Sequence, residues 1–271
     1  MKVLSSLFLH IITFFHYFLL SAQPNLQQIS DSIINEGFEL YRLEKARENA
    51  AVLIKNKLSI ENVFGLISYI ENNAIITLVL SGNEKKPSIK FKLSYDESFA
   101  DPTTNINKNT LPTSFEKTLI KIRNKITKIS SNKNGFITAD PRVNLNMVFL
   151  WRGNKILVYL IPYDNNPVVI SFGNDYLFTF NTKGKLLSKQ KLHNNLIEVE
   201  AKLKIKEEEV VSSFHTHGSQ SSPYITPSDI CILLMNKGQV EWGSHLTLSP
   251  LYLSFFDLAT HALSITKRTE K

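Results

Sequence analysis

Two spacings of apolar side chains alternate along the chain, one of 3.6 residues and one of two. Ile33, Ile34, Leu40, Tyr41, Ala46, Ala50 and Leu53 recur at helical spacing. Glu36, Glu39, Arg42, Glu44, Lys45, Arg47 and Glu48 fill the other positions, so a helix capped by Ser30 or Asp31 and running to about Lys55 is predicted, its charged side solvated. The period then falls to two. Segments 63–70 and 74–80 flank Glu71-Asn72-Asn73, a hairpin turn by composition, and segment 88–95 sets Ile89, Phe91, Leu93 and Tyr95 against Lys90 and Lys92. The polar stretch 96–112, with Pro102, Asn105, Asn107 and Asn109, reads as a linker or loop. Thr113-x-x-Glu116 is a capping box for a helix to about Ile129, in which Phe115, Leu119, Ile122, Ile126 and Ile129 form one apolar stripe.

From residue 148 strands dominate: 148–151, 156–161, 168–172, 176–181, 185–188 and 196–201, with turns at 152–155, 164–167 and 181–184. A further strand is predicted over 210–214, a helix over 227–236, then strands at 244–249, 252–256 and 262–266. The sequence thus predicts an α+β fold: an N-terminal helix, antiparallel strands and a second helix, then a β-rich C-terminal α/β domain. The divisions are 23–133 and 134–271. Ahead of both, Lys2, the apolar run 3–20 and Ser21-Ala22-Gln23-Pro24 have the order of a secretory signal peptide over 1–22, so an exported protein is expected. An uncleaved anchor is the alternative, with a run at the short end for a bilayer.

A chain of 271 residues with 43% hydrophobic side chains can bury a sizeable core. Its net charge of +7 comes from dispersed lysines, which make a basic surface weakly attracted to anionic envelope surfaces. Basic residues clustered with groove-reading or stacking motifs are lacking, and nucleic-acid binding is excluded as a function. The only cysteine, Cys231, lies in the apolar run 230–235; no internal disulfide framework exists, and the thiol reads as a small buried hydrophobe.

The chemistry concentrates at His215-Thr216-His217 and Thr226-Pro227-Ser228-Asp229. On a strand, His215 and His217 project to one side with Cα atoms about 6–7 Å apart, a span from which two imidazoles can meet one cation. Thr226 and Pro227 look like the N-cap and first residue of a helix, which puts Asp229 in its first turn. Two histidines, one carboxylate and an open fourth position make a hydrolytic zinc site. The same residues also fit a half-exposed histidine pair and an ordinary capped helix. Outside the apolar leader, every histidine follows residue 192. His193 reads as a surface residue near a turn, with a fourth ligand as the alternative. His245 reads as a partly buried strand residue or as an extra ligand or substrate-polarising group, and His261 as surface.

The run Phe214-His215-Thr216-His217-Gly218, then Ile225-Thr226-Pro227-Ser228-Asp229, resembles the JAB/JAMM family of metal-dependent proteases, most of all the JAB-like domains of bacterial secreted and toxin proteins. The resemblance covers about the last 100 residues, with Thr226 in the family's serine slot and a loop one residue longer. It implies Zn²⁺ held by His215, His217 and Asp229, Thr226 supporting a bound water, and a carboxylate general base on an earlier strand. The family's glutamate has no counterpart; Asp175 occupies its place, with Glu198 and Glu200 as other candidates. A zinc-dependent hydrolase of peptide or isopeptide bonds, with a protein or peptide substrate, is one expectation. The other is a non-catalytic exported envelope or interaction protein on a degenerate JAB-like scaffold.

Overall fold

A computed structural model describes residues 25–269 except 59–62, 84–85, 97–106, 109–110, 133–134, 139, 165, 167, 203, 206–207 and 210. The expected signal peptide and most of the expected linker at 96–112 lie outside the described residues.

Helix α1 spans Leu26–Leu53 and closes in a π-helical turn, Ile54–Leu58. It starts a turn earlier than expected because Asn25 caps it: its side chain accepts hydrogen bonds from the amides of Gln27 and Gln28. Strands β1 (Val63–Glu71), β2 (Ala74–Asn83) and β3 (Lys86–Tyr95) pair antiparallel, and the short β4 (Asn107–Lys108) adds to β3. The β1–β2 turn is the expected one, with Asn72 and Asn73 both in the left-handed region that a tight hairpin demands. Helix α2 (Ser114–Ser130) opens with the capping box of Thr113 and Glu116.

The middle of the chain supplies β5 (Asn144–Arg152), β6 (Lys155–Tyr163), β7 (Val169–Gly173), β8 (Tyr176–Asn181), β9 (Leu186–Lys191) and β10 (Leu196–Glu200). β5, β6, β8 and β9 form one antiparallel sheet, while β7 leaves it to pair with β10. β5 begins four residues before the predicted strand, since Asn144 and Asn146 hide the alternation there. Two short strands, β11 (Lys204–Ile205) and β12 (Glu208–Glu209), precede β13 (Ser212–Thr216), α3 (Pro227–Asn236), β14 (Ser244–Leu248), β15 (Tyr252–Asp257) and β16 (Leu263–Lys267). β13 and β14 are parallel, joined through α3, and β14, β15 and β16 continue antiparallel. This crossover carries the chemistry, because it brings the end of a strand beside the start of a helix. The fold class is α+β, as expected.

The regions expected on either side of residue 133 share a core. Leu40, Leu43 and Ala46 of α1 pack in one cluster with Tyr159, Phe172, Ile230 and Cys231. Gly37 sits where any β-carbon would lie 2.6 Å from Ile230 Cβ, so α1 approaches α3 closely only because residue 37 has none. Ser30 Oγ donates to Leu263 O at 2.7 Å and ties α1 to β16. The stripe of α2 fills a second cluster with Ile67, Leu78, Phe149, Val158 and Phe178. Among the described residues no helix is long and apolar enough to cross a membrane.

Candidate metal centre

The two-residue period of β13 turns Ser213 and His215 inward, and His217 continues that direction just past the strand's end. The His217 amide donates to Leu248 O at 2.7 Å, so the ladder with β14 still fixes the backbone there. Across the loop, Thr226 caps α3. Its hydroxyl accepts the Asp229 amide at 3.2 Å, and Asp229 Oδ2 accepts both the Thr226 amide and hydroxyl at 2.8 Å. This reciprocal box points Asp229 back at the histidines.

A third element completes the group. Gly173 and Asn174 both adopt left-handed backbone as the chain passes from β7 to β8. A β-carbon at Gly173 would sit 2.2 Å from Asn195 O, so glycine lets this bend meet the turn between β9 and β10. Two backbone hydrogen bonds of 3.0 Å, Asn174 N to Asn195 O and Leu192 N to Asp175 O, lock bend and turn together. His193, in that turn, thereby enters the interior.

The candidate ligand atoms of His193, His215, His217 and Asp229 lie within 4.8 Å of one another, and this group can hold a metal ion. His193 Nε2 and His215 Nε2 approach His217 Nε2 to 2.7 and 2.9 Å. Asp229 Oδ2 is 3.8, 3.8 and 3.6 Å from Nε2 of His193, His215 and His217. The outer nitrogens show what these atoms need. His193 Nδ1 faces Asp175 Oδ1 at 2.7 Å, and His217 Nδ1 faces the carbonyl of Ser222 at 2.8 Å. Both partners only accept, so Nδ1 of each ring carries a proton, and Nε2, once freed of any proton of its own, is the atom each ring can turn to a metal. Two lone pairs at that distance repel unless a proton or a metal ion lies between them. Asp229 Oδ1, fully buried, has no hydrogen-bond partner. Convergent lone pairs and an orphaned carboxylate oxygen fit a divalent metal.

Without a metal the electrostatics divide the group, and a metal would have to displace a proton from His193. Burial opposes charge on His193, but the carboxylates of Asp229 and Asp175 outweigh it and raise the ring to about 9. Burial holds His215 down at about 4 and His245 at about 3. Burial would raise Asp229, yet the surrounding imidazoles keep it well below the usual carboxylate range.

The structure brings together His215, His217 and Asp229, the three residues the sequence indicated as candidate ligands. It corrects the surface placement of His193, which is 2% exposed. A lone histidine after a polar strand gives no local signal; the bend at Gly173 and Asn174 buries it. His245 lies outside the ligand group and fully buried, its Nε2 2.7 Å from His215 Nδ1. Asp175 is buried behind His193, and its Oδ2 accepts from Ser228 Oγ at 2.5 Å. Ser228, to which the sequence motif gave no role of its own, thus links α3 to that carboxylate. Thr226 is turned to Asp229. Glu198 and Glu200 are exposed, and Glu198 pairs with Arg142 at 2.6 Å. His261 is half-buried, 3.2 Å from Lys237 Nζ. No family model matches the chain, and no curated protein matches it.

Proposed function

We propose that this is an exported zinc protein whose C-terminal half is a JAB/JAMM-like scaffold with a closed metal centre, and that the metal serves structure. The observation that carries this is His193. As a fourth protein donor it would take the position that a hydrolytic site keeps for water, and four protein ligands are the mark of structural zinc. Side-chain exposure of the four is 3% for His193 and zero for His215, His217 and Asp229, which leaves a substrate no approach. Three imidazoles and one carboxylate are nitrogen and oxygen donors that tetrahedral Zn²⁺ accepts. When bound, zinc supplies a cross-link between the β9–β10 turn, the end of β13 and the first turn of α3.

The remaining residues act as supports. Asp175 accepts the Nδ1 proton of His193, which fixes the tautomer and makes Nε2 a better donor. Ser222 O does the same for His217, and Thr226 holds Asp229. Export is supported by the apolar run 3–20 followed by Ser21-Ala22.

One observation favours the hydrolase: the order His215-x-His217, then Thr226-x-x-Asp229. Cleavage of a peptide or isopeptide bond would require His193 to withdraw, water to take its place and Asp175 to accept the water's proton. Metal analysis and peptidase assays on the purified mature chain separate the two. The expected result is one zinc per chain, lost in His217→Ala, with no cleavage of peptide or isopeptide substrates. A folded chain without metal in zinc-replete medium overturns the centre. Zinc-dependent cleavage that Asp175→Asn abolishes would establish the hydrolase instead.

A further inference from the structure

Among the described residues His245 is the one buried histidine that neither joins the ligand group nor faces solvent, and both its nitrogens are engaged. Its Nε2 is 2.7 Å from His215 Nδ1, and its Nδ1 is 2.7 Å from Ser213 Oγ. Phe172 stacks on both rings, with centroids 4.9 Å away and interplanar angles of 27° to His215 and 20° to His245. The three residues that form this relay come from adjacent parallel strands: Ser213 lies opposite His245 in the β13–β14 register, and His215 is two residues along β13.

We infer that His245 is a positioning residue that accepts the Nδ1 proton of His215, its own proton passing to Ser213, and so presents Nε2 of His215 to the metal. The inference rests on the metal reading above. It is needed because the outer partner of His215 differs in kind from the other two. A carboxylate or a carbonyl can only accept, so His193 and His217 have one possible tautomer each. An imidazole can accept or donate, so the pair His215–His245 has two arrangements, and the hydroxyl at the far end of the relay can serve either.

In one arrangement Ser213 donates to His245 Nδ1, His245 Nε2–H donates to His215 Nδ1, and the proton of His215 is left on Nε2, where it blocks coordination. In the other, His245 Nδ1–H donates to Ser213 Oγ and His215 Nδ1–H donates to His245 Nε2. Nε2 of His215 is then bare. Only the second serves a metal. Ser213 Oγ has lone pairs to accept with, and Phe172 stacks on both rings, which lie 34° apart, so the partners of the second arrangement are in place for a metal to select it. Outer partners of this kind orient a ligand and tune its affinity for metal.

Two substitutions of similar bulk separate positioning from packing. His245→Phe keeps a ring under Phe172 but cannot accept a proton; His245→Gln places an amide oxygen where Nε2 was and can. Zn²⁺ affinity is measured by competition with a chromophoric chelator, and the visible spectrum of the Co²⁺ form reports the ligand set. His245→Phe is expected to weaken Zn²⁺ binding by about 10–100-fold and to shift the Co²⁺ bands. His245→Gln is expected to restore affinity to within a few-fold of the native chain. Equal affinity in His245→Phe and the native chain overturns the inference, as does failure of His245→Gln to rescue. Should His245→Phe not fold, long-range ¹H–¹⁵N spectra of the native zinc form decide. A proton on Nδ1 of His215 supports the relay, and metal on Nδ1 overturns it. A folded native chain that binds no Zn²⁺ sinks the metal reading itself, a different result from Zn²⁺ binding that ignores residue 245.

Discussion

Withdrawing metal should lower the thermal midpoint of this protein by about 8–16 °C, and the figure follows from where the ligands lie. They come from three separate segments, the β9–β10 turn, the end of β13 and the start of α3. Unfolding separates these segments and leaves only the His215-x-His217 pair together, so a bound metal would favour the native state strongly. At free Zn²⁺ a thousand times the dissociation constant, mass action then adds about 4 kcal/mol. For chains of 150–250 residues each kcal/mol moves the midpoint by about 2–4 °C, which gives the range stated. Each further tenfold rise in metal adds about 1.4 kcal/mol. The loss should be felt as one transition, because α3 packs in the same core as α1 and β7. Without metal, three Nε2 atoms and a carboxylate remain crowded, relieved only where a proton sits between them. Calorimetry of the zinc form, the chelator-stripped form and a zinc titration between them is the assay, with His217→Ala as the control that should ignore metal. A midpoint indifferent to zinc over three decades of concentration would refute the argument, and so would a control that responds as strongly as the native chain.

Other expectations test neighbouring parts of the fold. Gly37→Ala places a β-carbon 2.6 Å from Ile230 Cβ and 3.2 Å from Pro227 O. Overpacking of about 1–3 kcal/mol should exceed the gain of about 1 kcal/mol in helix propensity, so the midpoint should fall and Zn²⁺ affinity with it; a stabilised variant would contradict the packing. Glu116 is fully buried; burial opposes its charge, but Lys92 at 2.7 Å, the Thr113 amide at 2.7 Å and the Tyr69 hydroxyl at 2.8 Å hold it below the usual carboxylate range. A lowered native pKa stabilises above the unfolded value and loses that stability as pH falls through the native one, so Glu116→Gln should flatten the acid limb of stability below pH ~4 in urea titrations. Cys231 is buried and its thiol is pushed well up by burial and by Glu44, so a thiol reagent should label it only after unfolding.

The fold was legible wherever one face of an element is wet. α2 and β3 were read with nearly correct bounds because lysines mark their outer sides. The capping box of Thr226 and Asp229 was equally plain, since it is local chemistry written in four consecutive residues. Legibility ended where the cause is tertiary. β5 and β9 carry polar residues at positions that an alternation rule reads as turn, yet pairing on a sheet extends them. At the site, His215, His217 and Asp229 could be found because a strand's period and a helix's first turn fix their directions. His193 could not, because its burial depends on Gly173 accepting a left-handed conformation twenty residues earlier in the chain and on backbone bonds between two loops. Asp175 was singled out for the right neighbourhood; its hydrogen bonds to His193 and Ser228 belong to contacts no spacing encodes.

His193 is also where the two functional readings part most sharply, and truncating it decides between them. His193→Ala leaves the three ligands of the His-x-His and Asp pattern in place and removes the one outside it. If the centre is closed by His193, Zn²⁺ should bind more weakly, and the Co²⁺ form should acquire a position that takes azide or water, which the native chain denies. The variant also strands Asp175, whose Oδ1 would lose its partner while Oδ2 keeps Ser228. Breaking a buried pair costs about 3–5 kcal/mol, so His193→Ala with Asp175→Asn carries the test where the single variant does not fold. Unchanged affinity and an unchanged Co²⁺ spectrum would remove His193 from the ligand set. The centre would then be a three-ligand site with an open position in the native chain, the closed structural role would fall, and the motif order would favour catalysis.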